Sequence, residues 1–317
     1  MSKTVWILAD DRAGNVNQLL GIAEALNWPF ERKEIRYDKW VRLPNWMRGA
    51  TLIGMDKTTR VNLTSPWPDV VLSAGRRSFP IARFIKRKNK NQTKIIQLMN
   101  PGNSQFSFAD IVVLPEHDLY RGKASNVMII AGTPNRITSD ILTQSKEKWK
   151  KQLLGPAPII SVIVGGATKN KPFTLEMADL LVQRICALNP QTVHVTTSRR
   201  TPPAVVDFLK KHLPKVGLFF VFGDSGENPY FGLLSCADIL VVTGDSMSMC
   251  SECCATGKPV FIFAPDEMMS EKHKRFHSVL YRSGYAIDLE KGSILSSDQK
   301  KFCNPSSLIA DRIKNLF

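Results

Sequence analysis

Long apolar segments are missing from this sequence, and so are the signatures of several common cofactor and metal sites. No stretch approaches the ~20 apolar residues of a transmembrane helix, and the apolar piece near the start is too short for a signal peptide. The six cysteines lack the paired spacing of metal ligands, so we expect reduced, mostly buried thiols and no metal site. The Gly-x-Gly-x-x-Gly fingerprint is absent, which argues against a nucleotide-sugar epimerase or another NAD enzyme. We therefore expect a cytoplasmic protein without a resident cofactor.

Acidic residues are few beside basic ones, and the excess of positive charge is uneven. Lys and Arg number 43 against 28 Asp and Glu, a net charge of +15. Residues 1–157 carry 25 basic and 13 acidic side chains, whereas residues 158–317 carry 18 and 15. Such a field attracts anionic membrane surfaces, nucleic acids and phosphorylated substrates. No nucleic-acid-binding motif accompanies it, so we expect no nucleic-acid partner and keep an anionic membrane surface, contacted by the N-terminal half, as a candidate.

Buried strands and amphipathic helices alternate along the chain. Residues 237–243 form a β-branched apolar run typical of a strand buried on both faces of a parallel sheet. A helical pattern follows, and residues 260–264 form a second buried strand. Similar units recur in both halves, which predicts an α/β fold of two Rossmann-like domains whose parallel sheets face a central cleft. We place an N-terminal domain with a polar linker helix at 1–157 and a C-terminal domain at 158–317, whose last helix could pack back on the first.

The junction after strand 237–243 has the chemistry of a nucleotide site. A helix N-terminus presents free N–H groups and partial positive charge, and Ser246 and Ser248 add hydroxyl donors for a phosphate. Glu252 lies one turn further on the same face, where its carboxylate can accept hydrogen bonds from a ribose diol. The alternative is an ordinary capped βαβ unit with a solvated glutamate.

Other strand ends of the C-terminal half offer further candidates for this site. A Gly-Gly pair lets a ligand approach the backbone, arginines can hold a diphosphate bidentately, and a turn-rich loop at 223–230 could shape a base pocket. The predicted nucleotide-sugar site comprises Gly165, Gly166, Ser198, Arg199, Arg200, Asn228, Tyr230, Thr243, Asp245, Ser246, Ser248 and Glu252. Helix capping, surface arginines and an ordinary surface loop are the alternatives at these positions.

The N-terminal half carries polar residues at its own predicted strand ends. Asp11 follows the first strand, and Gln18 lies on the first turn of the next helix, facing that loop. Arg76 and Arg77 follow another strand, at the position where open α/β sheets bind ligands.

A histidine flanked by carboxylates follows a later strand of this half, in the sequence Glu116-His117-Asp118. A histidine with such an orienting partner can serve as a general base. An ordinary surface loop is the alternative.

An aromatic and basic segment at residues 35–55 interleaves Trp40 and Trp46 with Arg42 and Arg48. Tryptophan and arginine together suit the headgroup depth of a membrane surface. We nevertheless expect a loop that packs its tryptophans inward, and membrane contact is the alternative.

The chain resembles the plant mitochondrial-fission "elongated mitochondria" family and its bacterial relatives over roughly residues 4–265. The resemblance rests on LADDRAGNVNQLLGIAEAL, PDVVLSAGRRSFPIAR, ADIVVLPEHD, VTTSRRTP and NPYFGLLSCADILVVTGDSMSMCSECCATGKPV. The bacterial relatives are regarded as glycosyltransferases of the GT-B fold. The plant relatives imply a non-enzymatic role, in recruiting fission machinery to a membrane.

More distantly, residues 244–259 are similar to the donor-site helix of the undecaprenyl-pyrophosphoryl-muramoyl-pentapeptide N-acetylglucosaminyltransferase family. In that family a small-residue loop holds the diphosphate and a glutamate binds the ribose. The match also implies that Gly14 and Asn15 occupy an acceptor loop. The family's Gly-Gly-His signature is missing here, so its catalytic base cannot be carried over.

Residues and resemblance together predict a metal-independent GT-B glycosyltransferase that transfers a sugar from a nucleotide-sugar donor to a lipid-linked or lipopolysaccharide-type cell-envelope acceptor. Asp11 and His117 are the candidate catalytic bases. The predicted acceptor-binding residues are Gly14, Asn15, Gln18, Gly75, Arg76, Arg77 and Glu116. The alternative is a non-catalytic, membrane-associated interaction protein that retains the fold. Under both hypotheses we expect a cytoplasmic protein. A peripheral position at the inner face of the membrane is compatible with each of them.

Overall fold

Apolar runs along the chain form two parallel β-sheets, one in each of two structural units. The computed structural model describes residues 3–168, 171–291 and 302–317. In these ranges the strands are β1 (Val5–Ala9), β2 (Phe30–Glu34), β3 (Val70–Ala74), β4 (Lys94–Leu98), β5 (Ile111–Pro115), β6 (Val127–Ile130), β7 (Ile159–Val164), β8 (Thr192–Thr197), β9 (Val216–Phe220), β10 (Ile239–Thr243), β11 (Val260–Phe263) and β12 (Ile287–Asp288). The helices are α1 (Ala13–Leu26), α2 (Asn45–Arg48), α3 (Lys57–Arg60), α4 (Gly75–Lys88), α5 (Ser139–Leu153), α6 (Leu175–Ala187), α7 (Pro203–His212), α8 (Tyr230–Cys236), α9 (Met247–Ala255), α10 (Glu271–Arg282) and α11 (Pro305–Lys314). Short 3-10 helices cover Lys39–Arg42, Asn103–Phe108 and Glu116–Asp118.

Unit 1 consists of Met1–Arg136 and Asn304–Phe317. Its sheet has the order β2-β1-β3-β4-β5-β6, and every neighbouring pair is parallel. The central strands β1 and β3 are buried on both faces because helices cover both sides of the sheet. Edge strand β2 is polar, and of its residues only Lys33 is buried.

Helix α11 completes the core of unit 1 by packing on α1. Ile309, Ala310 and Ile313 of α11 join the same apolar cluster as residues of α1. Gly21 of α1 permits the close approach of α11, because a Cβ there would clash with Ser306 Oγ of α11 and with the backbone of Asn135. Residues that follow unit 2 along the chain are therefore part of unit 1.

Unit 2 consists of Ile137–Cys303, and its parallel sheet has the order β12-β11-β10-β7-β8-β9. Helix α5 packs on α8, and a Cβ on Gly232 of α8 would clash with the Trp149 indole of α5. The helix predicted to close the N-terminal domain therefore belongs to unit 2. The units divide after Arg136, and the predicted boundary at residue 157 is corrected accordingly.

The cysteines are free thiols, and most of them are buried. Cys250, Cys253 and Cys254 lie on the core side of α9, as their helical spacing predicts, and Cys236 is buried nearby. Cys186 and Cys303 are exposed. Separately, none of the described helices combines the length and the apolarity needed to cross a membrane.

Candidate functional site

The loops that follow β10, β7 and β8 meet at the carboxyl edge of the unit 2 sheet. These strands are neighbours in the order β10-β7-β8, and parallel strands end at the same edge. The loops carry most of the predicted nucleotide-sugar residues: Gly165 and Gly166 after β7, Ser198, Arg199 and Arg200 after β8, and Asp245 and Ser246 after β10.

Asp245 ties these three loops together. Its buried carboxylate accepts hydrogen bonds from the Gly166 backbone N–H at 3.0 Å, from Thr243 Oγ1 at 2.7 Å and from Arg200 Nη2 at 2.7 Å. Burial raises the pKa of Asp245, and these hydrogen bonds act against that rise. The carboxylate is thus occupied with protein donors, and its role in the geometry is to position the loops.

The glycine pair is required by the packing of these loops. A Cβ on Gly165 would clash with the Asp245 carboxylate, and a Cβ on Gly166 would clash with the backbone carbonyl of Arg200. The Gly165 N–H also donates to Thr243 Oγ1 at 2.6 Å. The sequence interpretation, in which the glycines give room to a ligand, is therefore not the first reason for their presence.

Helix α9 begins at this edge with hydrogen-bonding capacity to spare. The Ser246 hydroxyl caps it by accepting from the Met249 N–H at 3.4 Å. The N–H groups of Met247 and Ser248 have no acceptor in the described part of the chain. Ser246 and Ser248 are half-buried, so the helix start has both backbone and hydroxyl donors at a partly accessible position.

Glu252 of α9 contacts Tyr230, the first residue of α8. The Tyr230 hydroxyl donates to Glu252 Oε2 at 2.5 Å, and the Tyr230 N–H donates to Asn228 Oδ1 at 3.0 Å. Burial raises the pKa of Glu252 to about 7, although the tyrosine hydrogen bond lowers it. Burial, followed by the nearby Glu252 charge, raises the pKa of Tyr230 well above its usual value. Three predicted site residues from separate elements are thus brought together.

The two arginines after β8 differ in their surroundings. Arg200 is paired with Asp245, whereas Arg199 is exposed and lies over the Phe222 ring at 5.9 Å. Ser198 accepts from the Arg200 N–H at 3.2 Å and shapes the turn. Within the described residues Arg199 has no ion pair, so its guanidinium is the one available to an anion.

In unit 1, Arg77 links the loops after β1 and β3. Its Nη2 donates to Asp10 Oδ2 at 2.8 Å and to Asp11 Oδ1, and its guanidinium lies 4.6 Å from the centre of the Tyr37 ring. The hydrogen bond from Arg77 lowers the pKa of Asp11. Asp11, a predicted catalytic base, is thus ionised and ion-paired, which makes it a weak proton acceptor.

Helix α1 carries two of the predicted acceptor-binding amides. Asn15 and Gln18 are buried, and Asn15 Nδ2 has no hydrogen-bond acceptor among the described residues. The N-cap of α1 is Arg12, and no side chain makes a capping hydrogen bond there. Gly14 has open space where a Cβ would lie.

The remaining predicted acceptor residues of the β3 loop hold the neighbouring segment in place. Gly75 begins α4 at a φ of +70°, which favours glycine. Arg76 donates to the Leu43 carbonyl at 2.7 Å and to the Val41 carbonyl at 3.2 Å. Arg76 is therefore engaged with the backbone of the loop that precedes α2.

Glu116 and His117 lie in the 3-10 helix that follows β5, apart from Asp11. His117 is buried, with Nε2 3.8 Å from Asp118 Oδ1. Strands β1 and β5 are separated by β3 and β4, which puts their ends about 14 Å apart at the usual strand spacing. The structure therefore does not join Asp11 and His117 in one catalytic pair.

Comparison with known proteins identifies the family. Residues 13–317 match the sequence model described as Mitochondrial fission ELM1. The chain belongs to this family. A relative in Rickettsia prowazekii, the uncharacterized protein RP120, is 28% identical over 98% of this chain and 97% of its own length. The mitochondrial fission protein ELM1 of Arabidopsis thaliana is 25% identical over 68% of this chain and 56% of its own length.

Solved structures show which fold this ELM1-family chain has. The UDP-GlcNAc 2-epimerase of Methanocaldococcus jannaschii superposes with a TM-score of 0.53, at 11% identity, over 99% of both chains. MurG of Acinetobacter baumannii superposes with a TM-score of 0.50, at 14% identity, over 99% of this chain and 90% of its own. The predicted GT-B-like α/β fold with two Rossmann-like domains is confirmed, and so is the family resemblance.

Two histidines of α10 adjoin the candidate site of the ELM1-family chain, and sequence reasoning missed them. His277 Nε2 lies 2.9 Å from the Gly244 carbonyl, and a Cβ on Gly244 would clash with its ring. His273 contacts Ser270 Oγ at 2.7 Å, and burial lowers its pKa despite the nearby Asp245. Their spacing of four residues on a helix after β11 was the available signal. In the described ranges, no group of three or more His, Cys, Asp or Glu residues could hold a metal ion.

Proposed function

We propose that this chain is a glycosyltransferase that binds a nucleotide-sugar donor at the carboxyl edge of unit 2. The observation that carries the proposal is the layout of α9. Two backbone N–H groups without an acceptor among the described residues lie at its start, and Glu252 follows Ser248 by four residues, a rise of about 6 Å along the helix axis. Anion binding and hydroxyl recognition are thereby combined in one helix.

The start of α9 has the chemistry to hold a diphosphate. Its unsatisfied N–H groups and the positive end of its dipole favour anions, and the Ser246 and Ser248 hydroxyls add donors. Arg199 supplies a full positive charge that no ion pair in the described residues neutralises. In the proposed complex Asp245, Thr243 and the glycine pair keep these loops in register and do not contact the donor.

Glu252 has the chemistry to recognise the ribose of the nucleotide. Tyr230 fixes one carboxylate oxygen, which leaves the other to accept from a diol. The similar UDP-GlcNAc 2-epimerase structure is named for a UDP-sugar substrate, and this supports the same class of ligand here.

The proposed reaction joins the anomeric carbon of the donor sugar to a hydroxyl oxygen of a lipid-linked or lipopolysaccharide-type acceptor. The bond from that carbon to the donor phosphate breaks, and the nucleoside diphosphate leaves with the electron pair. The acceptor proton passes to a base in unit 1, for which Asp11 and His117 remain the alternatives. Without a metal ion, the start of α9 and Arg199 would stabilise the leaving diphosphate.

Calorimetric titration with UDP-, GDP- and CMP-linked sugars tests the proposal. We expect one class to bind, and Glu252→Ala to weaken that binding by about tenfold or more, because a charged hydrogen-bond acceptor is lost. Glu176→Ala, an exposed glutamate on α6, is the matched control and should leave affinity unchanged. Absence of binding by every class, or equal effects of both variants, would contradict donor binding. Formation of an epimeric nucleotide-sugar without an acceptor would contradict transfer.

A second candidate function is that of a non-catalytic, membrane-associated member of the fission family. The charge of unit 1 favours it, since 23 basic side chains stand against 12 acidic ones, a net charge of +11. Vesicle binding would support this candidate over the enzyme if calorimetric titration also detects no binding of any nucleotide-sugar.

A further inference from the structure

Helix α2 of unit 1 has its polar and apolar faces exchanged relative to an ordinary surface helix. Asn45 and Arg48 point inward, and Arg48 is 0% exposed, while Trp46 and Met47 between them are 70% and 52% exposed. An ordinary surface helix buries its apolar side chains and exposes its charges. The exposed tryptophan is therefore a consequence of how α2 is anchored.

The anchoring of α2 is built from buried hydrogen bonds. Asn45 Nδ2 donates to the carbonyls of Arg76 and Pro101, both at 2.9 Å. Arg48 donates from Nε to the Ile53 carbonyl at 2.9 Å and from its terminal nitrogens to the Arg77 carbonyl at 3.1 Å. These bonds hold Trp46 and Met47 outward on a fixed backbone.

A second exposed tryptophan lies in the 3-10 helix just before α2. Trp40 is 54% exposed, and its helix packs on the turn that carries exposed Ile53, since a Cβ on Gly54 would lie 2.7 Å from the Val41 backbone. Trp40, Trp46, Met47 and Ile53 are the exposed large apolar side chains of residues 39–55, and we call this set the tryptophan surface. The expectation that this segment packs its tryptophans inward is wrong, and its alternative, an outward-facing set, is what the structure has.

Positive charge surrounds the tryptophan surface. Lys39 and Arg42 are exposed on the same 3-10 helix, and Arg36 and Lys57 are exposed nearby in the chain. None of these four forms an ion pair within the described residues. The acidic residues of the segment, Asp38 and Asp56, are engaged in capping backbone N–H groups.

We propose that the tryptophan surface docks unit 1 on an anionic lipid membrane. Tryptophans suit the headgroup region, where their rings meet apolar chains and their N–H groups remain hydrated, and unpaired Lys and Arg are attracted to anionic lipid. The net charge of +11 on unit 1 adds a long-range attraction of the same sign. The inference stands on unit 1 alone and does not depend on donor binding.

The docked surface adjoins the loops with the predicted acceptor residues. Arg48 and Asn45 of its anchor bind the backbone of Arg77 and Arg76 at the start of α4. A membrane-bound acceptor would therefore arrive next to Arg77 and Asp11.

Sedimentation with lipid vesicles tests the proposal. One set of vesicles contains phosphatidylcholine alone, and the other also contains about 30% phosphatidylglycerol as the anionic lipid. We expect wild-type protein to bind the anionic vesicles, and Trp40→Ala/Trp46→Ala to bind them at least about tenfold more weakly because apolar contact area is lost. Lys39→Glu/Arg42→Glu should reduce binding by a similar factor on anionic vesicles. Acyl-brominated lipid should quench tryptophan fluorescence in the wild type and much less in the double alanine variant.

The matched control reverses two other exposed cations of unit 1, in Arg87→Glu/Lys88→Glu at the end of α4. We expect this variant to retain binding within about threefold, because its charges lie off the docking surface. Equal losses in both charge-reversal variants would overturn the assignment by attributing binding to overall charge. Failure of the wild type to sediment with the vesicles would also overturn it. So would the finding that the tryptophan substitutions dissociate a dimer of the protein and leave vesicle binding unchanged. Nucleotide-sugar calorimetry, run without vesicles, should be unaffected by the tryptophan substitutions, so the two proposals fail separately.

Discussion

The loops at the carboxyl edges of the two sheets differ in whether their buried polar atoms have hydrogen-bond partners within the protein. In unit 2 the Asp245 carboxylate has three protein donors, and the loops around it are closely packed. In unit 1, by contrast, Asn15 Nδ2, Tyr37 Oη and Arg77 Nε are buried without a hydrogen-bond partner in the described part of the chain.

The two units therefore differ in where their unpartnered hydrogen-bonding groups lie. In unit 2 the loops of this edge are held by protein hydrogen bonds, and the start of α9 offers two N–H groups that have no acceptor among the described residues. Unit 1 leaves polar atoms unsatisfied beneath its loops, at a cost of about 1–3 kcal/mol for each buried group. Such a cost is recovered only if a bound molecule supplies hydrogen-bond partners to these atoms.

The largest effect on the free energy of unfolding is expected at the buried carboxylate of Asp245, in contrast to the exposed carboxylate of Asp11. The Asp245 side chain is 0% exposed, so Asp245→Ala should lower the free energy of unfolding by about 3 kcal/mol, because its donors lose their acceptor. Asp11, also paired with an arginine, has a side chain that is 72% exposed, and Asp11→Ala should cost about 0.5 kcal/mol or less. Urea denaturation measures both, and equal losses would remove the contrast between the edges.

The next effect is a pH dependence confined to unit 2. The pKa of Glu252 is raised by burial to about 7, above the value near 4.5 of an unfolded chain. The folded state therefore binds the extra proton between about pH 4.5 and 7, and stability falls as pH rises through that window. Glu252→Gln should remove this dependence, which amounts to about 2.5 kcal/mol across the window. Denaturation of both proteins from pH 4.5 to 8 tests it, and parallel curves would contradict it.

The smallest effect should run in the opposite direction. Asn15→Leu should raise the free energy of unfolding by about 1 kcal/mol, because it removes a buried donor that has no acceptor in the described structure. Gln97→Leu is the control, since that buried amide bonds Ser73 Oγ at 2.6 Å and the Gly75 carbonyl at 3.0 Å. Thermal denaturation should show the control destabilised. If Asn15→Leu is also destabilising, the Asn15 amide has hydrogen-bond partners in the folded protein, and the contrast with unit 2 is lost.

The strands with continuous apolar runs could be predicted because burial on both faces leaves an unmistakable pattern. The runs at residues 237–243 and 260–264 located β10 and β11 within two residues of their observed ends. β2 was missed because Phe30–Glu34 is a charged edge strand, held by pairing with β1.

The candidate site was predictable in its residue types but not in its contacts. Ser246 and Glu252 belong to one helix, so their spacing was readable from the sequence. The bond from Tyr230 to Glu252 and the ties from Asp245 to Gly166 and Arg200 join elements 22 to 79 residues apart. Only the strand order brings those elements together, and local pattern does not encode it.

The position of α11 has a consequence for how the protein is made. Ile309, Ala310 and Ile313 enter the core of unit 1 only after the whole of unit 2 has been synthesised. Until then the apolar side of α1 is without its cover. Unit 1 starts first along the chain and can therefore complete its core only after the last residues of unit 2 have been added.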